Sequence, residues 1–349
     1  MSAPTPDLNV RAVLAALPKI DLHRHLEGSL RLATLLEVAR RFELDLPADD
    51  LESLRPLVQF TNDEPNFRNF LEKFNVLRRF YQAPDVISRL AYEVVADAAH
   101  DNVHYLELRF TPFALASAQG YAVADVTDWV LAAVQSAVCD YPALRVGLIA
   151  GVNRHESLEI AEQVTRLAIE RKDQGIVGLD LAGDEFNYSA EPFRPLFRAA
   201  REAGLGVTAH AGEWTGAGTV RDAIENLGVQ RVGHGVRVLE DPQVVALALE
   251  RGLVFEVCLT SNVQTGVVPR LAEHPLSRMT RLGLRTTINT DDPAVSASNL
   301  TDEYTLAVEH LSFSVEAIKH TLLTAAASAF LPPAERAALV EQFRGALGL

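Results

Sequence analysis

The amino-acid sequence predicts an α/β fold in which eight parallel strands form a (β/α)8 barrel of the TIM type. Three observations favour this fold. Short β-branched runs recur eight times along the 349 residues, an amphipathic helical pattern follows each run, and polar residues gather where the runs end. A doubly wound open sheet is the alternative, but the first strand-to-helix turn lacks the Gly-x-Gly-x-x-Gly pattern of nucleotide-binding sheets.

The eight predicted strands are short runs of aliphatic and β-branched residues. In the first of them, Ile20 and Leu22 alternate with polar residues, as in a short buried strand. The predicted strands span residues 18–23, 103–110, 144–151, 176–182, 205–211, 230–235, 253–259 and 284–290.

The helices between the strands are marked by residues that begin and end helices. Asp241 and Pro242 predict a helix start, as N-cap and first helical residue, and Gly252 predicts its end. Another helix is predicted to begin at Pro192 and to end at Gly204. The chain after residue 314 also has a helical apolar pattern.

The connection between the first two strands is much longer than the others, at about 80 residues. We therefore predict a single barrel domain over residues 1–349 with a helical insert at about 31–100 covering the active site. One helical face of the insert is apolar. It either contacts a ligand or packs on the barrel rim, and both roles are compatible; its residues are Phe67, Phe70, Leu71, Phe74 and Leu77.

Polar side chains that suit a metal ion lie at the predicted strand ends. His23 and His25 alternate along one strand, so they point the same way, about 7 Å apart along the backbone. With a third histidine and a carboxylate from the other strand ends, where His210 and Asp291 lie, they would form a zinc site of three imidazoles and one carboxylate, leaving a position for water. Five other histidines lie away from these ends and are interpreted as structural: His100, His104, His274, His310 and His320.

Three more residues at the same rim suit proton transfer and substrate binding. Zinc lowers the pKa of a bound water toward neutrality, and Glu213 is placed to carry a proton. His234 would orient or deprotonate the water, with a carboxylate behind it to fix its tautomer. Asp292, beside a proposed ligand, would face the substrate. Because the fourth strand offers no lysine to bridge two metals, we predict one zinc per chain.

Composition excludes several classes of partner. The formal net charge of −14 argues against nucleic acid or an anionic membrane as a partner. Cys139 and Cys258 are the only cysteines, so neither a disulfide framework nor a thiolate zinc cluster is available. The first residues lack the pattern of a signal peptide and no run is long enough to span a membrane, which predicts a cytoplasmic protein. The sequence does not predict an oligomeric state.

Six segments together closely resemble the adenosine deaminase family of the metal-dependent amidohydrolases. They follow the order of that family and span nearly the whole chain. They are His23-Arg24-His25-Leu26-Glu27-Gly28-Ser29, Gly178-Leu179-Asp180-Leu181-Ala182-Gly183-Asp184-Glu185, His210-Ala211-Gly212-Glu213, Arg231-Val232-Gly233-His234-Gly235, Cys258-Leu259-Thr260-Ser261-Asn262 and Asn289-Thr290-Asp291-Asp292-Pro293.

The resemblance implies hydrolytic removal of the 6-amino group of adenosine or 2′-deoxyadenosine. It implies zinc ligands at His23, His25, His210 and Asp291, with His25 also facing the substrate. It implies Glu213 as the acid that protonates purine N1, and His234 as the group that orients or deprotonates the attacking water. It further implies contacts from Asp292 to N7 and from the Gly183 amide to N3.

Two positions depart from the adenosine pattern. Glu27 stands where those enzymes carry Asp for the ribose 5′ hydroxyl, and Leu259 replaces a common proline. Relatives with Glu at that position include adenine deaminases, while others act on 5′-extended nucleosides such as aminodeoxyfutalosine of the menaquinone pathway. Deamination of either substrate is therefore the alternative activity.

Two readings outside nucleoside deamination remain. A barrel that keeps the ligand and has lost catalysis would be expected to lose its proton donor, yet Glu213 is present. Hydrolysis of a cyclic amide or ester would use the same zinc chemistry. The His-x-Glu and Pro-Cys-x-x-Cys pattern of the other zinc deaminases is absent.

Overall fold

A computed structural model describes residues 9–349 and has eight parallel strands, paired in chain order from first to last. The predicted fold class is confirmed, and every strand lies within two residues of its predicted bounds. The strands are β1 Lys19–His25, β2 Val103–Phe110, β3 Arg145–Asn153, β4 Ile176–Ala182, β5 Gly206–Ala211, β6 Arg231–His234, β7 Val254–Val257 and β8 Arg285–Ile288.

Helices surround the strands and extend the barrel at both ends of the described chain. Within residues 9–349 they are α1 Val10–Ala16, α2 Leu32–Arg41, α3 Leu51–Val58, α4 Phe67–Leu77, α5 Pro84–His100, α6 Pro112–Ser117, α7 Val123–Asp140, α8 Leu158–Glu170, α9 Arg194–Glu202, α10 Ala217–Asp222, α11 Pro242–Glu250, α12 Leu259–Gln264, α13 Leu276–Arg281, α14 Pro293–Ser296, α15 Leu300–Leu311, α16 Val315–Ser328 and α17 Pro333–Leu347. None of them is both long and apolar enough to cross a membrane.

Helix boundaries follow the capping chemistry, with one correction. Asp241 caps α11 by accepting a hydrogen bond from the amide of Gln243 at 2.8 Å. The helix predicted from Pro192 begins instead at Arg194, after a 3₁₀ turn over Glu191–Phe193. Pro195 explains the delay. Without an amide hydrogen it fits only the first turn of an α-helix, so the α-helix cannot begin at Pro192.

Four helices, α2 to α5, lie between β1 and β2, in the region where the insert is predicted. The last of them, α5, packs against β2 and α7 and so belongs to the outer ring of the barrel. On α4, Phe70 and Leu77 are buried. Phe67, Phe70, Leu71 and Phe74 line the main cavity, so the helix takes part in both core packing and the cavity wall.

The barrel closes where β8 meets β1. Beyond the last residue of β8, Asp291 donates its amide to the carbonyl of His23, and His25 donates its amide to the carbonyl of Asp291, both at 2.8 Å. A single parallel bridge joins Arg24 to Asp291. The closing seam therefore runs directly through residues predicted to bind the metal.

Candidate active site

Four predicted ligand side chains meet at the carboxyl end of the barrel. The donor atoms of His23, His25, His210 and Asp291 all lie within 4.8 Å of one another. The Nε2 atoms of His25 and His210 are 3.2 Å apart, and Asp291 Oδ1 lies 3.2 Å from His23 Nε2. His23 Nε2 is buried and has no hydrogen-bond partner. Ring nitrogens and a carboxylate converging on one point suit a divalent metal ion.

Buried carboxylates hold two of these imidazoles from behind. His23 Nδ1 lies 2.8 Å from Glu256 and His210 Nδ1 lies 3.1 Å from Asp180. Because a carboxylate accepts the Nδ1 hydrogen, each ring turns the lone pair of Nε2 toward the centre. Burial raises the pKa of both carboxyls, but the neighbouring groups outweigh burial and hold each pKa below its usual value. The charges of Arg109 and Arg231 do so at Glu256, and contact with His210 and the charge of Arg109 do so at Asp180.

These carboxylates belong to a buried charge network inside the barrel. Arg109 bridges Asp180 at 3.1 Å and Glu256 at 2.8 Å, and Arg231 joins Glu256 at 2.6 Å. Arg231 also pairs with Glu107. No role for these five charged residues was predicted from the sequence. One sequence feature could have indicated this network, namely charged residues within apolar strands. Glu107 and Arg109, for example, share one face of β2.

The predicted proton-transfer groups stand beside the ligand cluster. Glu213 is buried, and its Oε2 lies 3.7 Å from His234 Nε2. Burial, with the nearby charges of Asp291 and Glu185, raises the pKa of Glu213 well above its ordinary value. Burial and the charge of Asp291 likewise raise the pKa of Asp292, whose Oδ1 is buried without a partner. Both acids are thus suited to donate hydrogen bonds.

The expectation of a carboxylate behind His234 is wrong. The group that faces His234 Nδ1 is the side-chain amide of Asn262, whose Nδ2 lies 3.1 Å away. His274, interpreted from the sequence as merely structural, contacts the same amide at 3.2 Å. Sequence spacing could not show this contact, because it depends on how the segment after β7 folds back over β6.

The comparisons agree with this geometry. A family model described as adenosine deaminase matches residues 18–345. The chain belongs to the adenosine deaminase family. It is 39% identical to an adenosine deaminase of Klebsiella pneumoniae over 330 residues, which cover 94% of this chain and 98% of that protein. It is accordingly a hydrolytic deaminase of the adenosine type.

Solved structures share the whole fold of this adenosine deaminase family member. An adenine deaminase from Arthrobacter aurescens superposes with a TM-score of 0.87 at 29% identity, covering 96% of this chain and 100% of that one. An amidohydrolase from Burkholderia ambifaria with bound zinc gives a TM-score of 0.86 at 27% identity, covering 99% and 96%.

The ligand cluster of this deaminase opens into a cavity of about 920 Å³, within the range of small-molecule sites. His25, Glu27, Gly183, Glu213 and Asp292 all line it. Further out, Phe67 of α4 stacks on Trp214, which follows Glu213, and contacts Phe186. These aromatic rings place an apolar wall opposite the polar floor.

Glu27 reaches the cavity although β1 ends two residues before it. Its Oε1 accepts the amide hydrogen of Thr111 at 2.6 Å, while Oε2 is buried without a partner. Burial raises the pKa of this carboxyl. Glu27 therefore faces the cavity, and the backbone turn after His25 sets its direction rather than strand alternation alone.

Local backbone constraints explain the glycines and the strained positions of the site. A Cβ on Gly28 would lie 1.8 Å from Asp292 Oδ1, and one on Gly233 would lie 2.7 Å from His23 Cε1. His234 and Asp291 themselves adopt positive φ, at 59° and 62°. Such left-handed backbone is unfavourable for residues with side chains and is common at functional sites.

Proposed function

We propose that this deaminase hydrolyses adenosine and 2′-deoxyadenosine to inosine and 2′-deoxyinosine, releasing ammonia, with one zinc ion per chain. The observation that carries the proposal is a raised-pKa acid, Glu213, buried beside a cluster of four metal-ligand side chains. The 39% identity to an adenosine deaminase supports adenosine over the free base, since the adenine deaminase is 29% identical.

His23, His25, His210 and Asp291 would hold the metal. Zinc in such a site lowers the pKa of a coordinated water and so supplies a nucleophile at neutral pH. Asp180 and Glu256 keep His210 and His23 oriented with Nε2 facing the metal position. The zinc-bound Burkholderia relative supports zinc over other divalent ions.

Glu213 would donate its proton to purine N1 as the water oxygen adds to C6. Protonation of N1 draws electrons from C6 and makes it electrophilic, which is why the acid must be neutral when substrate binds. Its raised pKa supplies that neutral form. The tetrahedral C6 then expels the amine, which leaves as ammonia with the proton of the added hydroxyl.

The remaining contacts would fix the purine ring. N7 is an acceptor and needs a donor, and Asp292 is suited to that role because its raised pKa favours the protonated form. The Gly183 amide would donate to N3, and His25 would border the reacting edge. We propose that α4 and its aromatic contacts act as a lid of the single domain, excluding water from the ring.

The sugar end is where the alternatives differ. Glu27 would meet the ribose 5′ hydroxyl, and its charge would repel a 5′ phosphate. A longer 5′ substituent, as in aminodeoxyfutalosine, is the second candidate, because Glu27 departs from the Asp of the adenosine pattern. We also propose that the enzyme is cytoplasmic and acts on a small purine nucleoside without nucleic-acid or membrane partners, a proposal that the net charge of −14 supports for the partners.

The test is kcat/KM for adenosine, 2′-deoxyadenosine, adenine, AMP and aminodeoxyfutalosine, measured as ammonia release. We expect the two nucleosides to lead and adenine and AMP to trail. Glu27→Asp serves as the matched variant, with adenosine activity within about 10–200-fold of wild type, the range of a single methylene. Adenine or AMP in first place would refute the nucleoside assignment, and aminodeoxyfutalosine in first place would replace the substrate but not the chemistry. No ammonia from any substrate would favour a retired barrel.

A further inference from the structure

We propose that His274 and Asn262 form a hydrogen-bond relay that keeps the proton of His234 on Nε2. His234 would then donate a hydrogen bond to the oxygen that adds to the purine, and would not remove a proton from it. The inference rests on the proposed deamination and decides between the two roles, orienting and deprotonating, that the sequence left open.

The relay begins at a backbone amide, which can only donate. The amide hydrogen of Leu276 points at Nδ1 of His274, with the nitrogens 3.1 Å apart. Nδ1 must therefore accept, and a neutral ring carries its proton on Nε2. His274 is 4% exposed, and burial lowers its pKa to about 3, so the ring is neutral at physiological pH.

The proton position on His274 fixes the orientation of the Asn262 side-chain amide. His274 Nε2 lies 3.2 Å from Asn262 Oδ1, so the ring donates and the amide oxygen accepts. The other end of the amide, Nδ2, then faces His234 Nδ1 at 3.1 Å and donates to it. Turning the amide over would set its NH₂ against the Nε2 hydrogen of His274, placing two donors together in a fully buried position.

The consequence for His234 is a fixed tautomer. Its Nδ1 lone pair is occupied, so the neutral ring carries its proton on Nε2. Nε2 faces the cavity, 3.7 Å from Glu213 Oε2 and 3.9 Å from Asp291 Oδ2. An N–H at this position can hold the adding oxygen in place and stabilise the negative charge on it, both after the water has given up a proton and again as the hydroxyl proton passes to the amine.

Three neighbouring imidazoles have different roles because different groups lie behind them. The ring of His234 lies 4.8 Å from that of His23 and 5.3 Å from that of His210, so all three border one point. Carboxylates behind His23 and His210 leave the Nε2 lone pairs free for a metal. The amide donor behind His234 instead leaves a hydrogen on its Nε2, and a protonated nitrogen cannot bind a metal ion. The group behind each ring thus separates ligand from donor.

No proton transfer of the reaction requires His234. The oxygen's electron pair forms the C6–O bond while Glu213 gives its proton to N1. The hydroxyl proton then leaves with the amine as ammonia, the C6–N bond electrons going to nitrogen. The next water returns a proton to Glu213 and becomes the new nucleophile.

The decisive variant is Asn262→Asp in the metal-loaded enzyme. A carboxylate accepts from both His274 and His234, so it is compatible with the fold but moves the His234 proton to Nδ1. We expect kcat for adenosine to fall about 10²–10³-fold, the loss typical of removing one transition-state donor, with little change in KM. If His234 worked as a base, the carboxylate behind it would preserve or raise kcat, which would overturn the proposal.

Two variants of His274 test the relay without touching His234. His274→Leu removes the donor to Asn262 and should lower kcat about 10–100-fold. His274→Gln offers a replacement donor and should restore kcat to within a few-fold of wild type. A His274→Leu enzyme with wild-type kcat, or a His274→Gln enzyme as impaired as the leucine variant, would contradict the relay.

A readout apart from activity comes from nitrogen NMR of enzyme labelled in the histidine rings. His234 signals are identified by their loss in His234→Gln. We expect Nε2 to be protonated and Nδ1 unprotonated in wild type, and the reverse in Asn262→Asp. Protonated Nδ1 in wild type would refute the proposal even if the variants did not fold. Failure of all deamination alongside the expected tautomer would instead count against the proposed function.

Discussion

Replacing Glu256 by Gln should weaken metal binding from outside the ligand cluster. Glu256 is fully buried, and it accepts from His23 Nδ1 and Arg109 at 2.8 Å and from Arg231 at 2.6 Å. The amide removes the negative charge and sets an NH₂ group against at least one of these donors. Breaking a buried ion pair costs about 3–5 kcal/mol of folding stability. Loosening a ligand imidazole typically costs about 10–100-fold in metal affinity.

Glu107→Gln provides the matched control. Glu107 is equally buried and pairs with the same Arg231, but its other contacts are the Tyr105 hydroxyl and the Phe330 amide, so it contacts no ligand histidine. Urea unfolding of the metal-free proteins should show a similar loss of stability in both variants. Competition with a chelating dye should show weakened metal binding only for Glu256→Gln. Equal metal affinity in the two variants would refute the orienting role of Glu256.

Three further predictions follow from the same structure. Metal analysis should find one zinc per chain in wild type and its loss in both His210→Ala and Asp291→Ala, and full retention in both variants would contradict the ligand set. Glu213→Gln should keep its zinc but lose about 10²–10⁴-fold in kcat, because an amide cannot protonate N1; near-normal turnover would require another donor. Burial raises the pKa of Glu303 to about 7 from an ordinary 4.5, so its contribution to stability is full below pH 4.5 and is lost as pH rises through 7. Relative to wild type, Glu303→Gln should therefore gain about 3 kcal/mol between those pH values in urea unfolding, and a pH-independent difference would show that the shift is absent.

The barrel and the residues of its rim could be predicted because their determinants are local. A few consecutive aliphatic residues predict each strand, and in a (β/α)8 barrel all carboxyl-terminal strand ends lie at one rim. His23 and Asp291 could be assigned to one cluster on that basis, without knowing the strand register. The predicted helix start at Pro192, two residues before the observed start at Arg194, is a small error that also has a local cause, because Pro195 is visible in the sequence.

What supports the site from behind could not be predicted, because it depends on register and on side chains crossing the barrel. Glu256 reaches His23 from β7, although the two are 233 residues apart. His274 and Asn262 meet only because the chain after α12 returns toward the barrel. Neither contact leaves a mark in the spacing of a single sequence. The error over the partner of His234 has this origin.

The seam between β8 and β1 bears on how the molecule assembles. Leu22 donates to Asn289 across 267 residues of chain, so this edge cannot form until the final strand is made and docked. A partly folded sheet lacking β8 presents the three ligand imidazoles but no Asp291 beside them. The ion's full binding energy is therefore available only to the closed sheet, and it favours the last step of folding. Removing the ion should speed hydrogen exchange first at the amides of His25 and Asp291, which donate the hydrogen bonds across this seam.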